Sequence, residues 1–353
     1  MLAVGTALVL TGCTSPSSGA SSSAASSSGS SSSGSAGAQQ VAGASGPTCT
    51  ISTYGATKGT LKGMTVGFSQ SESTSNPFRA TETKSITDQA AAVGVKLIQR
   101  NANANVAQQN TDIQDMIAAG AKALIIAPEN SNGLAPSLAQ AKAKHIPVLT
   151  IDRTVTGTAC SDFIGFIGSD FAGQAKIAAD DIGAAMGGKG DVAILQGTSG
   201  NNVAQARTSG FTQELSAKFP NIKVVASQTA NFDQATGQKV AEQILQSNPK
   251  LSGLYAENDG MALGAIQAMT AAGKTPGKDI KIVSIDGIQQ LVQDVSKGTV
   301  VSDIETNPRF GPLAFQTLND FFAGKPVPET VIIKDHHFTS GNAKAALANG
   351  DVY

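Results

Sequence analysis

The chain contains no tryptophan, and cysteine, histidine and tyrosine occur only three times each. Without tryptophan, intrinsic fluorescence is expected to report a change of conformation poorly. The histidines complete no Ser/His/Asp set, and the adjacent His336 and His337 would point to opposite faces of an extended chain, so neither nucleophilic catalysis nor a shared metal is predicted. The net charge of −1 and the lack of a basic cluster argue against a nucleic-acid partner. We therefore predict a chain that is not an enzyme and that needs no metal or cofactor.

The N-terminal segment is uncharged, since Lys58 is the first charged residue of the chain. Within it, Leu2 to Leu10 is almost wholly apolar but far shorter than the ~20 residues that span a bilayer. It closes on Leu10-Thr11-Gly12-Cys13, a pattern typical of a bacterial lipoprotein signal. No Lys or Arg precedes it, which we attribute to a start codon assigned too late. We expect residues 1–12 to be removed and Cys13 to be lipidated, leaving the chain exported and anchored to the outer face of the cytoplasmic membrane.

A serine tract follows this cysteine, with 14 serines among the 21 residues from Ser15 to Ser35. The other residues of the tract are only glycine, alanine and proline. Such a composition cannot bury enough apolar surface to offset the entropy of ordering the chain. We therefore expect residues 13–55 to form a disordered tether that spans on the order of 30–35 Å, so that the membrane is contacted through the lipid alone.

Two cysteines remain after Cys13, namely Cys49 and Cys160. Their spacing does not match a zinc site. In an oxidising compartment an even pair favours one disulfide, here between the N-terminal arm and a loop. Two free buried thiols are the alternative.

From residue 56 onward, short β-branched runs alternate with longer alanine-rich stretches, in two consecutive sets separated by a loop at residues 154–168. Buried apolar strands that alternate with helices of 10–15 residues indicate parallel sheets covered by helices on both faces. Because ~300 residues exceed what one core usually serves, the two sets predict an α/β protein with two doubly wound, Rossmann-like lobes. The predicted strands of the two sets are Met64 to Ser69, Val95 to Gln99, Ala123 to Ala127 and Ile146 to Ile151, then Val192 to Gln196, Ile222 to Ser227, Gly253 to Glu257 and Ile280 to Ile285. The predicted helices are Phe78 to Val93, Val106 to Ala119 and Gly133 to Lys144, then Phe171 to Met186, Val203 to Lys218, Gln234 to Gln246 and Met261 to Ala272.

Polar residues follow the carboxyl ends of these strands, where doubly wound sheets bind ligands. They are rich in Asp, Asn and Arg, with two phenylalanines, and comprise Asn76, Phe78, Arg79, Asp152, Arg153, Arg207, Phe232, Asn258 and Asp286. Carboxylate and amide oxygens accept from sugar hydroxyls, Arg and amide NH₂ groups donate to them, and phenylalanine rings cover the apolar face of a sugar. The set therefore predicts a site for a neutral polyhydroxylated ligand, although each Asp or Asn alone could simply cap the next helix.

At these residues the chain resembles the type-I periplasmic sugar-binding proteins of the ribose/galactose group, and within that group the galactofuranose-binding branch. The resemblance extends from Val66 to about Pro312. The matching stretches are V-G-F-S-Q, F-R-A-T-E-T, I-I-A-P, I-D-R-T, L-Q-G-T-S-G, Y-A-E-N-D-G-M-A-L-G-A-I-Q-A-M, P-G-K-D-I and S-I-D-G.

This resemblance implies a monomeric solute-binding component of an ABC importer whose two lobes, joined by a three-strand hinge, close over one monosaccharide and deliver it to a permease. It implies a first lobe of residues 56–155 and about 306–332, and a second lobe of about 156–305 and 333–353. By position, Phe78 would stack on the sugar ring, and hydrogen bonds to the sugar would come from Arg79, Asp152, Arg153, Arg207, Asn258, Asp286 and, near the second crossover, Glu305.

The first binding loop departs from the branch, because it joins the N-P-F of ribose binders to the following arginine of galactofuranose binders, whose aromatic residue is normally tryptophan. The sugar is therefore expected to be galactofuranose or a related furanose or aldose. Three arginines raise the alternative of an acidic sugar, although Asp152 and Asp286 would offset much of their charge. A second alternative is a sugar sensor that presents its ligand to a membrane receptor. A DNA-bound regulator of the same fold would need a helix-turn-helix, which residues 1–55 do not contain.

Overall fold

A computed structural model of the chain describes residues 39–353. The predicted signal at residues 1–12, the predicted lipidation site Cys13 and the serine tract lie outside the described residues. The described part contains one sheet of seven strands and one of six, each covered by helices. Each sheet is the centre of one lobe, and the chain is a two-lobed α/β protein of the doubly wound type.

The first lobe is built on the seven-stranded sheet, with strand order β1-β12-β6-β5-β4-β2-β3. All pairs are parallel except β1 with β12, which are antiparallel. Its elements are β1 (Val41–Cys49), α1 (Ile51–Tyr54), β2 (Thr65–Gln70), α2 (Pro77–Val93), β3 (Lys96–Asn101), α3 (Val106–Ala118), β4 (Ala123–Ile126), α4 (Ala135–Ala143), β5 (Val148–Ile151), β6 (Gly165–Gly168), α10 (Gly311–Phe322) and β12 (Val327–Ile333).

The second lobe is built on the six-stranded sheet, with strand order β13-β11-β10-β9-β7-β8. Only the edge strand β13 runs antiparallel to its neighbour. Its elements are α5 (Phe171–Ala185), β7 (Lys189–Gln196), α6 (Asn202–Lys218), β8 (Asn221–Thr229), α7 (Gln234–Ser247), β9 (Leu251–Ala256), α8 (Asp259–Ala271), β10 (Lys281–Asp286), α9 (Gln289–Lys297), β11 (Ser302–Glu305), β13 (His337–Thr339) and α11 (Ala343–Asn349).

Local sequence explains where these elements begin and end. The four residues of β4 are all fully buried, as expected for an interior strand of a sheet covered on both faces. Helix α2 begins at Asn76, whose side chain accepts a hydrogen bond from the Phe78 backbone N–H, and Pro77 fills the first helical position. Every strand and helix predicted in the two alternating sets lies on an element of the same type, with ends that agree to within three residues.

The chain crosses between the lobes three times, at residues 169–170, 306–310 and 334–336, and we call these segments together the hinge. Ser169 of the first segment donates to Asp335 of the third over 2.9 Å. Gln174, in α5, donates to Asp335 and to Thr306 of the second segment, both over 2.9 Å. The three crossings are thus tied together by buried hydrogen bonds.

The first crossing lies later than the sequence predicted. Residues 154–168 were expected to be a loop leading to a second lobe from about residue 156, but β6 within them pairs with β5 and β12 of the first sheet. Its sequence Gly-Phe-Ile-Gly has low strand propensity. A Cβ at Gly165 would lie 2.8 Å from the Pro328 carbonyl oxygen, so the close approach of β12 requires glycine there.

The structure also corrects the end of the predicted tether. Residues 41–54 form β1 and the short helix α1, although the tether was predicted to continue to residue 55. Strand β1 consists mostly of small residues, with two glycines, and every side chain except that of Cys49 is exposed, so its sequence gives no apolar alternation. Backbone pairing with β12 supplies the order that its composition does not. A disulfide joins Cys49, at the end of β1, to Cys160, with Cα atoms 4.9 Å apart.

Within residues 39–353, the part of the chain that the structure describes, no helix is long and apolar enough to cross a bilayer. Nor do three or more His, Cys, Asp or Glu side chains within it come together as a metal site. The adjacent histidines have separate partners, since His336 contacts Glu305 and His337 Nε2 lies 2.6 Å from Asp181.

Candidate functional site

The carboxyl ends of strands from both sheets face a small cavity between the lobes. Nine of the ten predicted ligand residues line it. The lining residues are Glu72, Asn76, Phe78, Arg79, Asp152, Arg153, Val203, Arg207, Phe232, Asn258 and Asp286.

On the first-lobe side, Arg79 is the centre of a group of ion pairs. It is only 2% exposed. Its Nη1 lies 2.8 Å from an oxygen of Glu82 and 2.8 Å from an oxygen of Asp152, while its Nε donates to Glu72 over 3.0 Å. The carboxylates raise the pKa of Arg79 well above its usual value, although burial acts against them. This guanidinium is therefore held in place by protein carboxylates from three segments of the lobe.

Arg153 extends the same group. Its Nη2 lies 2.7 Å from Glu72, its Nη1 lies 3.4 Å from Glu129, and its Nε lies 3.7 Å from Asp152. We call Glu72, Arg79, Glu82, Glu129, Asp152 and Arg153 the first-lobe charge cluster. Arg79 and Arg153 keep the pKa of Glu72 at about 2 despite its burial, so this carboxylate is ionised throughout the physiological range.

On the second-lobe side, Arg207 on α6 connects the cavity to the hinge. Its Nη2 lies 3.2 Å from Asp286 Oδ1, donates to Thr306 Oγ1 over 2.7 Å and to Gln174 Oε1 over 3.3 Å. Its Nη1 donates to the Glu257 carbonyl oxygen. Burial raises the pKa of Asp286 to about 6, and Arg207 opposes that rise. A ligand bound to Arg207 would therefore be connected to the hinge in two ways. Arg207 contacts Thr306 of the second crossing directly, and it contacts Gln174, which donates to Asp335 of the third.

Asn258 links α8 to the loop after β8. Its side-chain oxygen accepts from the Met261 N–H over 3.0 Å and caps α8, while its Nδ2 lies 3.3 Å from the Phe232 carbonyl oxygen. Asn258 therefore caps a helix, as asparagines at such positions commonly do, and its side chain also lines the cavity.

Both cavity phenylalanines lie beside guanidinium groups. The Arg79 Cζ is 4.9 Å from the centroid of the Phe78 ring, and the Arg153 Cζ is 5.3 Å from that of Phe232. The second of these contacts joins the lobes, because Arg153 belongs to the first and Phe232 to the second. Each lobe thus supplies one aromatic ring and at least one arginine to the cavity.

Three cavity residues have unusual backbone conformations. Asp152 has φ 61°, Phe232 has φ 56° and Asp286 has φ 143°, all in the region that favours glycine. Non-glycine residues persist there only where the surrounding structure enforces it, and such residues concentrate at functional sites. The residues with strained backbone thus lie at the same strand ends as the predicted ligand-binding residues, which supports the assignment of the site.

Direct contacts hold the lobes together beside the cavity. The Ser131 N–H donates to the Gly200 carbonyl oxygen over 3.1 Å, and the Thr154 N–H donates to Asn202 Oδ1 over 3.0 Å. Gly200 has φ 87°, and a Cβ there would lie 2.3 Å from Asn130 Nδ2, so only glycine permits this approach. The described conformation is a closed one.

Tyr353 makes a further contact between the lobes. Its ring centroid lies 6.1 Å from that of Phe78 in the first lobe, with the rings near perpendicular. Its carbonyl oxygen accepts from the Gln289 N–H of the second lobe over 2.6 Å. The Arg309 guanidinium, in the hinge, lies 5.9 Å from the Tyr353 ring centroid. Tyr353 thus supports the cavity from behind Phe78.

Glu305 is the predicted site residue that does not line the cavity. It is fully buried, and its Oε2 accepts from the His336 backbone N–H over 3.0 Å and contacts the His336 ring. It therefore joins β11 to the third crossing of the hinge. Its strand-end position resembles that of Asp286, and the sequence does not reveal that its side chain turns the other way.

Glu72 is the polar lining residue that sequence reasoning missed. It lies in the loop between β2 and α2, so the rule of polar residues after strand ends already covered its position. Asn101 Nδ2 donates to the Glu72 carbonyl oxygen over 2.8 Å and fixes the loop. Val203, near the start of α6, also lines the cavity and carries no signal that separates it from a core residue.

Two doubly wound lobes closed around a cavity of paired charges, amides and aromatic rings define a binding protein for a small polar ligand. The chain belongs to the periplasmic binding protein family, whose domain model matches residues 66–326. The similar proteins described next are sugar-binding proteins rather than enzymes.

Two curated relatives and one solved structure illustrate the similarity. The ribose import binding protein of Haemophilus influenzae is 34% identical over 253 residues, which cover 71% of this chain and 84% of that protein. The galactofuranose-binding protein of Escherichia coli K12 is 33% identical over 274 residues, which cover 76% of this chain and 86% of that protein. The binding protein of the arabinose ABC transporter from Shewanella sp. ANA-3, solved with α- and β-L-arabinofuranose, is 35% identical with a TM-score of 0.77, covering 81% of this chain and 95% of that one.

Proposed function

We propose that this protein captures one neutral monosaccharide, galactofuranose or a related furanose or aldose, between its two lobes. The observation that carries the proposal is a cavity between the lobes lined by nine of the ten predicted ligand residues, which come from the strand ends of both lobes. The proposed ligand-binding residues are Asn76, Phe78, Arg79, Asp152, Arg153, Arg207, Phe232, Asn258 and Asp286. Glu305 is withdrawn from this set, because its side chain is occupied at the hinge.

The chemistry of the lining supports a sugar ligand. Arg79, Arg153 and Arg207 donate only, Asp152 and Asp286 accept when ionised, and the Asn258 amide does both. Hydroxyl groups both donate and accept, so alternating donors and acceptors can satisfy several of them at once. Phe78 and Phe232 supply apolar surface for the carbon face of a ring.

The relatives support a furanose in particular. One is named for galactofuranose, and another is described with L-arabinofuranose bound. The ribose import binding protein widens the candidates to pentoses.

We further propose that the protein acts as a monomer that delivers the sugar to an ABC permease from the outer face of the cytoplasmic membrane. Lipid on Cys13 would anchor it, and the serine-rich segment would serve as the tether. In the closed form, surfaces of both lobes lie side by side, which offers a permease a composite surface present only when the lobes meet.

The first test is a thermal-shift screen of the chain with Cys13→Ser, which prevents lipidation. Ribose, arabinose, xylose, glucose, galactose and galactofuranose are each added in turn. A ligand that binds only the folded state raises the melting temperature by mass action, by an amount that grows with its concentration over Kd. A large shift with one furanose or aldose is expected, and no shift with any of them would contradict the proposal.

The transport role needs a separate test in cells. Mass spectrometry of the membrane fraction should find diacylglycerol on Cys13, and Cys13→Ser should release the protein. Deleting the permease encoded beside it should abolish uptake of the sugar identified in the screen. A response to the sugar that survives this deletion would indicate a sensor instead.

A further inference from the structure

Glu72 spans the two arginines of the first-lobe charge cluster in the way a bound carboxylate would. One of its oxygens accepts from Arg79 Nε over 3.0 Å, and the other accepts from Arg153 Nη2 over 2.7 Å. Two guanidinium groups converging on two oxygens is the arrangement by which proteins hold the carboxylate of a ligand. Here that place is already filled by the protein.

The position of Glu72 sets it apart from the other carboxylates of the cluster. Its side chain is 12% exposed, against 0% for Glu82, 4% for Glu129 and 6% for Asp152. It lines both the cavity and the wider cleft next to it. Asn101 Nδ2 donates to the Glu72 carbonyl oxygen and fixes the backbone there.

The formal charges of the cavity lining are balanced as the chain stands. Three arginines, Arg79, Arg153 and Arg207, are matched by three carboxylates, Glu72, Asp152 and Asp286. An acidic sugar would add a carboxylate beside Glu72 in a place that excludes water. Unpaired buried charges and like charges in contact are both strongly unfavourable there. A sugar without charge adds no such cost.

We propose that Glu72 is a specificity-determining residue that restricts the protein to uncharged sugars by occupying the place of a ligand carboxylate. This inference rests on the proposed function as a sugar-binding protein and deepens it. It excludes uronic and aldonic acids, even though three arginines line the cavity. Neutralising Glu72 should remove the carboxylate that bridges Arg79 and Arg153 and open that place to an acidic sugar.

The test compares neutral and acidic sugars on the wild type and on Glu72→Gln, which keeps the shape of the side chain and removes its charge. Calorimetric titrations use L-arabinose, D-galactose and D-ribose against D-galacturonate, D-glucuronate and L-arabinonate. We expect no acidic sugar to bind the wild type. In Glu72→Gln at least one acidic sugar should gain about 10-fold or more in affinity, while neutral sugars bind less tightly.

Two control variants separate this role from a structural one. Glu129→Gln removes a carboxylate beside the same Arg153. Because Glu129 lies 3.4 Å from Arg153 and lines only the wider cleft, no acidic sugar should gain affinity in this variant. Glu72→Asp keeps the charge and should still reject acidic sugars. The inference is overturned if the wild type binds an acidic sugar as tightly as a neutral one. It is equally overturned if no acidic sugar gains affinity in Glu72→Gln, or if Glu129→Gln gains as much.

The proposed function and this inference fail in different ways. If the wild type binds no neutral sugar, the proposed monosaccharide function is contradicted, while a gain of galacturonate binding in Glu72→Gln would still support the role of Glu72. Should Glu72→Gln melt far below the wild type, Glu72→Ala with the same sugars supplies the comparison, because it removes the charge without leaving an amide among the arginines.

Discussion

The two lobes share one architecture but stabilise their buried charges in different ways. In the first lobe, Arg79 and Arg153 pair with four carboxylates, and the cluster is complete within that lobe. In the second lobe, Asp259 and Asp303 are fully buried, and among residues 39–353 no cation forms an ion pair with either. Burial raises the pKa of Asp303 to about 8 and that of Asp259 well above its usual value. Burial also raises the pKa of Glu82 and Glu129 to about 7, but each of these lies beside an arginine, whereas Asp259 and Asp303 hold their protons without a counter-ion.

This difference extends to the cavity. The first-lobe groups are held by one another whether or not a ligand is present, so they form a preorganised half of the site. Arg207, by contrast, is bonded to Thr306 and Gln174, which join the hinge crossings. The first lobe is therefore built to recognise the ligand, and the second to couple recognition to movement of the hinge.

The largest expected effect comes from breaking the first-lobe cluster with Arg153→Ala. The free energy of unfolding should fall by about 3–5 kcal/mol, because Glu72 and Glu129 lose a buried counter-ion. Sugar binding should fall by at least about 2 kcal/mol. Calorimetric melting and titration measure the two effects. Lys218→Ala, which breaks ion pairs with Asp180 and Glu214 at the surface, is the control and should cost far less, because solvent screens exposed pairs. Unchanged affinity in Arg153→Ala would remove that residue from the site.

The covalent link of the first lobe gives the next largest effect. Cys49→Ser opens a loop that spans 111 residues of sequence and should lower the free energy of unfolding by about 2–4 kcal/mol. Affinity for sugar should stay unchanged, since the disulfide lies away from the cavity lining. Mass spectrometry of the native wild type gives the independent check, and two free thiols there would rule the bond out.

Breaking the link between cavity and hinge should cost affinity more than stability of the first lobe. Arg207→Ala should weaken sugar binding by about 2 kcal/mol, or about 30-fold. Small-angle scattering with saturating sugar should then show a more open average conformation than the wild type. Thr306→Val removes one hinge contact of the same guanidinium without touching the cavity lining, and should change the conformation with less loss of affinity. An Arg207→Ala protein that closes fully on sugar would contradict the proposed coupling.

The smallest expected effect is on the pH dependence of stability, which tests whether the buried carboxyl groups without counter-ions are protonated. The raised pKa values, about 8 for Asp303, about 7 for Glu257 and about 7 for Asp335, mean that the folded chain keeps protons that the unfolded chain releases above about pH 4. Stability should therefore fall as pH rises from 5 to 8. Asp303→Asn should flatten this slope and stabilise the chain at pH 8 by on the order of 1 kcal/mol.

Melting temperatures between pH 5 and pH 8 measure this effect. Asp88→Asn on the exposed face of α2 serves as the control, because its side chain is 63% exposed. An identical slope in Asp303→Asn and in the wild type would contradict the protonation of this buried pair.

The sequence predicts the regular parts of the fold because apolar runs and helical periodicity are local signals. No element after Ile285 was predicted, so α9, β11, α10, β12, β13 and α11 come from the structure alone. Nor are β1 and β6 predicted, since each contains two glycines and pairs with β12, which is distant along the chain. The cavity is predicted well for the same reason as the strands, because polar residues after strand ends must meet at one edge of each sheet. The partners of those residues are not predicted. Whether Glu72 turns inward to two arginines, or Glu305 away to His336, depends on loops packed in three dimensions.

The contact between Tyr353 and Phe78 has an optical consequence. With no tryptophan, emission excited near 280 nm comes from three tyrosines. Tyr54 is buried in the first lobe beside Phe321, and Tyr255 is stacked on Phe211 in the second, so both stay within one lobe. Only Tyr353 lies against residues of both lobes, and its surroundings change when the lobes separate. Most of the change in tyrosine emission on opening and closing should therefore come from Tyr353, and Tyr353→Phe should remove it. The unmodified protein can then report its own conformation without an attached dye.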